Sequence, residues 1–305
     1  VKASFNTAIL ILFLLSTGIC CRRNASVEPL PAIVLQSDFG VKDGAVAAMK
    51  GVIRGVDPKL DIFDLTHEIP VFNTWEAAYR LEQSASYWPA GTVFVSVVDP
   101  GVGTARRSLV LKTKTGHYFV SPDNGSLGLV AASMGILEVR EIDEATNRRA
   151  SSGASYTFHG RDVYAHTAAK LASGRIQLGQ VGKRLADTVV TIPYQRAVLE
   201  AGTLRGMIPV LDIQYGNVWT NIPDSLLKRA GFGYGDSLRV RILHKGKEHF
   251  SEKILLVHTF GEVSKGSPMA YVNSLMQVSI ALNQVSFAQK YQVASGPDWT
   301  VEINR

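Results

Sequence analysis

An α/β N-terminal domain with a largely parallel central sheet, followed by a smaller all-β, barrel-like C-terminal domain, is the fold class this sequence predicts. Three observations predict it. Through the first part of the chain, short and continuously apolar runs alternate with stretches of helical periodicity, the pattern of a sheet covered by helices. From Leu199 onward the runs are separated by glycine-rich turns and no long amphipathic helix recurs. Between the two parts, around Ile192-Pro193-Tyr194, the composition changes, which puts the boundary between Asp187 and Ala201 and the domains over 32–190 and 198–305.

Ala32 to Gln36 reads as a first buried strand, ending in Ser37-Asp38-Phe39-Gly40 with Asp43-Gly44 behind it. Ala45 to Arg54 has helical composition, and Leu60 to Leu65 is a second strand, followed by Thr66-His67-Glu68-Ile69-Pro70. Thr74 is placed to cap a helix through Tyr87, with Trp75, Ala78, Leu81 and Ala85 on one face. Thr92 to Val98 is the most strand-like run and stops at Asp99-Pro100-Gly101-Val102-Gly103-Thr104. A hairpin over Leu109 to Lys114 and His117 to Ser121 precedes the turn Pro122-Asp123-Asn124-Gly125 and a helix from Leu127 to Met134. Tyr156-Thr157-Phe158-His159-Gly160-Arg161-Asp162 leads into a helix through Ala172. In the second part, Leu204 to Asp212, Ser237 to Leu243 and Ile254 to His258 read as strands.

The 305 residues carry a net charge of +6, but lysine and arginine are scattered, so no nucleic-acid footprint is expected. The two cysteines, Cys20 and Cys21, are adjacent and near the N-terminus, which leaves the folded body without a disulfide or a cysteine nucleophile. Ala8 to Ile19 is an apolar run after Lys2 and before Arg22 and Arg23, the layout of a secretory signal segment and too short for a comfortable membrane span. Residues 1–23 are therefore expected to be an export segment, with 24–31 a linker, and the protein to be periplasmic or membrane-anchored through that segment or a lipid at Cys20 or Cys21.

Asp38, Asp99 and the His159 motif all follow expected strands, and in a parallel sheet such loops open onto one edge, the usual ligand edge. Taken singly, each has a plainer role: aspartates after strands are turn formers or caps, and a lone histidine is commonly a hydrogen-bonded core residue. Two further readings are weaker. Gly101-Val102-Gly103-Thr104-Ala105-Arg106 lacks the third glycine of a dinucleotide loop. His159, Asp162 and His166 share a helix face only if the helix includes Gly160, which disfavours it, so no metal site is expected.

Five motifs together are more specific. Ser37-Asp38-Phe39-Gly40 with Asp43; Val98-Asp99-Pro100-Gly101-Val102-Gly103-Thr104 with Arg106 and Arg107; Pro122-Asp123-Asn124-Gly125; Thr157-Phe158-His159-Gly160-Arg161-Asp162; and Asp212 with Tyr215-Gly216-Asn217 and Thr220-Asn221 resemble the S-adenosylmethionine hydroxide adenosyltransferase family, in order, from Ile33 to the C-terminus. The resemblance implies a homotrimer with active sites between one subunit's N-terminal domain and its neighbour's C-terminal domain. It implies conversion of S-adenosylmethionine and water to adenosine and methionine, with no cofactor and no metal. On that match Asp99, Arg106 and His159 would handle the water and Asp38 the ribose diol. Asp43, Asp212 and Ser274 would hold the methionine portion, and Asn217, with Tyr215 nearby, the adenine. A cationic sulfonium favours carboxylates and aromatic faces, a role open to Trp219, whereas Phe72 is read as a core aromatic. Gly160 is read as making room for the water.

Related halogenases differ from this chain in having an aromatic residue in place of Asp99, a hydroxyl residue near Val102 and no His-Gly-Arg-Asp motif. A non-catalytic binder of adenosine or S-adenosylmethionine, or a metal-dependent hydrolase, is the alternative class. Met276 and Ser279 depart from the family pattern, where a smaller and an acidic residue are expected.

Overall fold

The computed structural model describes residues 31–305. The expected export segment and all but the last residue of the linker lie outside the described residues; among those described, no helix is long and apolar enough to cross a membrane.

The first part comprises β1 (Ile33–Ser37), α1 (Ala45–Val56), β2 (Ile62–Thr66), α2 (Thr74–Ala85), β3 (Val93–Val97), β4 (Ser108–Thr113), β5 (Tyr118–Pro122), α3 (Gly128–Met134), β6 (Ile136–Glu141), the short α4 (Glu144–Asn147), a π-helical turn (Gly160–Ala165) and α5 (His166–Ala172). Its six strands run in the order β2-β1-β3-β5-β4-β6. The four from β2 to β5 are mutually parallel, while β4 is antiparallel to both its neighbours. The sheet is thus mixed rather than uniformly parallel, because the tight β4–β5 hairpin can only join antiparallel strands. Alternation along β1 sorts the core into two layers. Ile33 and Leu35 pack with α1, the π-helical turn and α5; Val34 packs on the other face with α2 and α3 through Leu81 and Val130.

The second part holds β7 (Val198–Glu200), β8 (Thr203–Ile208), β9 (Val210–Asp212), β10 (Asn217–Pro223), α6 (Asp224–Arg229), β11 (Ser237–His244), β12 (Lys247–Leu256), β13 (Pro268–Val272), β14 (Gln277–Leu282), α7 (Phe287–Tyr291) and β15 (Gly296–Asn304). These nine strands form one sheet in the order β7-β8-β15-β11-β12-β13-β14-β10-β9. The expected barrel is not closed: among the described residues no ladder joins β8 to β10. Instead the Met207 N–H donates to Asn221 Oδ1 at 2.8 Å, a side-chain bond across the gap. The run expected as one strand from Leu204 breaks at Pro209, which lacks the N–H a continuous strand would use.

α2 joins the two parts. Asn73, not Thr74, caps it, accepting from the Glu76 N–H at 2.9 Å. Ala78, Leu81 and Ala85 are buried in the first part as its periodicity predicts. Trp75 instead points across the junction, donating from Nε1 to the Pro209 carbonyl at 2.9 Å. Tyr79 hydroxyl to Gln277 Oε1 and Arg80 Nη2 to the Leu211 carbonyl complete the docking.

Candidate active site

β1 and β3 are neighbours in register, with Ser37 opposite Val97, so the residues just past their carboxyl ends, Asp38 and Asp99, emerge side by side. The π-helical turn then packs against β3 and brings His159, at its N-terminal end, to the same edge. Such turns are rare and recur at functional sites because one extra residue per turn re-aims the side chains. Gly160 is closely packed: a Cβ there would lie 3.1 Å from Val97 Cγ1 and 3.3 Å from the Phe39 ring, so a larger residue would press on both. Together Asp38, Phe39, Phe72, Asp99, His159 and Gly160 border a pocket of about 250 Å³.

Arg106 organises the charges beneath it. Its Nε donates to Asp99 Oδ1 at 2.9 Å and its Nη2 to Asp99 Oδ2, a two-armed pair; Nη1 donates to Ser108 Oγ at 2.8 Å, and Nη2 also lies 2.9 Å from His159 Nδ1. Burial works against the Arg106 charge, but the hydrogen bonds to Asp99 outweigh it and hold the guanidinium above its usual range. Tyr164, fully buried, has its hydroxyl 3.4 Å from Asp99 Oδ2; burial, with the Asp99 charge beside it, pushes its proton loss to higher pH, so it stays a donor.

His159 is held below the ordinary imidazole range, first by burial and then by the two arginines, Arg106 and Arg148, against the opposing pull of Glu144 and Asp99. At neutral pH the ring is neutral, the state a proton acceptor needs. Arg148 Nη2 lies 3.1 Å from His159 Nε2 and also donates to Glu144 Oε2. Glu144, Arg148, Ser108 and Tyr164 are site residues that sequence reasoning missed. Glu144 and Arg148 show only as an i, i+4 pair after the helix-capping Asp143, a local signal with no pointer to His159.

A second relay sits directly under Asp38. The Phe39 N–H donates to Ser37 Oγ at 3.3 Å; Ser37 Oγ lies 2.7 Å from His67 Nδ1, and His67 Nε2 lies 3.0 Å from Asp64 Oδ1. Lys50 closes the chain at Asp64 Oδ2, 2.6 Å away. Burial works against the Asp64 charge, but bonds from Lys50 and His67 prevail and keep its carboxyl below the usual range. Ser37 is fully buried, so this serine–histidine–aspartate series braces the Asp38 loop instead of presenting a nucleophile. His67→Ala leaves Ser37 without its buried acceptor and is expected to cost about 1–3 kcal/mol in urea unfolding.

Other expected site residues lie elsewhere. Asp43 is exposed, outside the pocket, and accepts from the Ala45 N–H at 2.9 Å at the start of α1. Asp212, Tyr215 and Asn217 border a separate pocket of about 790 Å³ on the second sheet. Asp212 and Asn217 are cross-strand partners, and Asn217 Nδ2 donates to Asp212 Oδ2 at 3.1 Å. Between them Gly216 adopts φ +70°, and a Cβ there would collide with Ser286 Oγ, the cap of α7. The two pockets share no residue. Trp219 is half-buried and borders neither pocket, and Ser274 is exposed on the β13–β14 turn, also outside both.

Phe72 is not the core aromatic expected. It is 65% exposed at the rim of the first pocket with φ +64°, held there by its N–H, which donates to Asp38 Oδ2 at 2.9 Å. Met276 is likewise exposed with φ +58°, a left-handed conformation that L-residues adopt uncommonly. Ser279 is buried and accepts from Asn273 Nδ2 at 3.0 Å.

The three residues of the metal reading go separate ways. His159 faces Arg106 and Arg148, Asp162 takes both arms of Arg161, and His166 Nδ1 meets the Asn147 carbonyl. Among the described residues no three His, Cys, Asp or Glu side chains are grouped to hold a metal ion.

Comparison with known proteins identifies the family of the chain. The profile described as SAM hydroxide adenosyltransferase N-terminal domain matches residues 33–182, and that of the corresponding C-terminal domain matches residues 206–300. The chain is 37% identical over 259 residues to the (R)-S-adenosyl-L-methionine hydrolase of Salinispora tropica, covering 84% of this chain and 92% of that one. It is 29% identical over 291 residues to the fluorinase of Actinopolyspora mzabensis, covering 87% and 95%. A crystal structure of an uncharacterized conserved protein from Thermotoga maritima superposes with a TM-score of 0.82 at 36% identity, covering 90% of this chain and all of that one.

Proposed function

This chain belongs to the SAM hydroxide adenosyltransferase family, and from that premise we propose that it is an enzyme hydrolysing S-adenosyl-L-methionine at the ribose C5′ to adenosine and L-methionine. S-adenosyl-L-methionine is the substrate, and no cofactor takes part. The observation that carries the reading is the Asp99–Arg106–His159 cluster at the pocket wall.

In this reaction the water oxygen bonds to C5′ as the C5′–S bond breaks, its electron pair staying on sulfur. The leaving group is a neutral thioether and needs no general acid. What remains is to place the water in line and to take its proton. His159 is the proton acceptor, kept neutral by its surroundings, and its one lone pair takes the proton when the water displaces the arginine N–H that faces it. Asp99, fixed by Arg106, orients the water and balances the charge that develops. Asp38 at the rim binds the ribose diol, exchanging the Phe72 N–H for ribose hydroxyls.

A carboxylate lining the pocket repels an anionic nucleophile, which favours water over halide.

Asp212, Tyr215 and Asn217, with Ser274 and Trp219, belong to the other half of the site, and Asp43 joins the first half. One chain keeps its two pockets apart, and each is bordered by exposed apolar residues, Val71, Phe72 and Val102 on one side and Tyr215, Phe260 and Val285 on the other. A homotrimer that apposes the two faces joins the halves and covers both rims. Export or lipid anchoring rests on the Ala8–Ile19 run alone.

Incubation of the purified protein with S-adenosylmethionine in ¹⁸O-water containing chloride is expected to give adenosine labelled at the 5′ oxygen. The relatives' name specifies the (R) sulfonium epimer, so both epimers belong in the assay. Formation of a 5′-chloro nucleoside identifies the halogenase reaction instead, and tight stoichiometric binding with no product identifies a binder.

A further inference from the structure

His159 sits between two guanidinium groups, Arg106 at Nδ1 (2.9 Å) and Arg148 at Nε2 (3.1 Å). A guanidinium only donates, and a neutral imidazole offers one lone pair and one N–H. The two arginines therefore cannot both be satisfied, and one contact sets N–H against N–H.

The arginines are not equally tethered. Arg106 is fixed by both oxygens of Asp99 and by Ser108. Arg148 comes from the end of the four-residue α4. It is held by Glu144 one turn earlier, by the Ser155 carbonyl at 3.2 Å and by the face of Tyr156, 4.9 Å from its ring centre. Glu144 also reaches inward: its Oε1 lies 3.9 Å from His159 Nδ1 and 3.4 Å from Ser108 Oγ. The groups around the ring are thus Asp99 after β3, Arg106 before β4, Glu144 at the start of α4 and Arg148 just past its end, Tyr156 from the following loop and Tyr164 from the π-helical turn. The two acids and two arginines balance only while the imidazole is neutral.

We propose that Arg148 and its helical partner Glu144 are positioning residues for His159: Arg148 competes with Arg106 for the one lone pair and opposes the imidazolium, while Glu144 tethers Arg148 and supplies the carboxylate that tolerates the proton. The pair thereby governs the acid limb of activity, an inference that rests on His159 being the base of the proposed hydrolysis. A guanidinium near the ring disfavours its charged form and a carboxylate favours it. The two substitutions must then act in opposite directions.

The test is the pH dependence of kcat/KM for adenosine formation in R148Q, R148K and E144Q. R148Q removes the cation but keeps a donor, and its acid limb is expected to move to higher pH, with activity near pH 6 down severalfold. R148K, which keeps the charge, should restore the wild-type limb. E144Q should move the limb to lower pH. NMR titration of the His159 ring in the same proteins reads the same shifts without turnover. An unmoved limb in R148Q and E144Q, or movement of both in one direction, overturns the proposal. If the wild-type protein makes no adenosine, the hydrolase reading falls, and the ring titration still decides the role of Arg148 and Glu144. Should R148Q fail to fold, E144Q, at a site 32% exposed, decides alone.

Discussion

Replacement of His159 by asparagine is expected to lower kcat for adenosine formation about 10²–10⁴-fold, the usual contribution of a positioned general base. Asparagine can still accept from Arg106, so the buried guanidinium keeps a partner and the fold should persist. It cannot take a proton at neutral pH, so the loss falls on kcat, with KM little changed. Steady-state kinetics with chromatographic separation of adenosine measures both, and an unchanged kcat would remove His159 from the chemistry. The wild-type pH profile carries the same signature. Because burial and the two arginines hold His159 below its ordinary value of 6.5, activity should persist as pH falls through that value and be lost only below it. The sign for stability agrees: the unfolded chain takes up the proton first, so the contribution of neutral His159 is complete above 6.5 and declines as pH drops.

Removal of the Asp99 carboxylate is expected to have the largest effect on stability. The Asp99 and Arg106 side chains are 6% and 11% exposed, and Asp99→Ala leaves a buried guanidinium without its carboxylate. Breaking such a pair from one side costs about 3–5 kcal/mol, because the surviving charge stays desolvated. Asp99→Asn should cost less, since its amide oxygen still accepts from Arg106. Both variants should lose activity, since neither presents a carboxylate to orient water. Urea unfolding of the two proteins beside the wild type gives the ordering, and equal stability of Asp99→Ala and wild type would show that Arg106 has other means of satisfaction. The contrast separates the two roles: Asp99→Asn isolates chemistry, and Asp99→Ala adds the cost of the buried charge.

Much of the first sheet was legible because its determinants are local. Ile33 to Leu35 and Val93 to Val98, the latter broken only by Ser96, are apolar in the way strands buried on both faces are, and each run leads into an aspartate loop. The edge strand β6 and the short α4 were not legible. Ile136–Glu141 mixes apolar and charged residues, and a four-residue helix has too little pattern to show. Asn73 was passed over for Thr74 as the cap of α2, a choice between adjacent residues that only the bond to the Glu76 N–H decides. Trp75 carried a helix-face signal shared with Ala78 and Leu81, and nothing local marks it as the residue that reaches Pro209 instead. The barrel expectation failed for a related reason: turns and strands are written locally, but closure depends on whether β8 and β10 come into register.

The site divides along the same line. By itself the sequence determined which residue types meet: Asp99, Arg106 and His159 lie in recognisable motifs, and the two glycine-bearing loops and the aspartates after strands announce a ligand edge. Only the tertiary structure decided how they are held. It placed Glu144 and Arg148 beside His159, turned Phe72 outward over Asp38, filled the space beside Gly160 with Val97 and Phe39, and set Asp212 and Asn217 in a different pocket. The reason is physical: a side chain's type is a property of one position, whereas the charge state of His159 is the sum of burial and four charges drawn from two other stretches of chain.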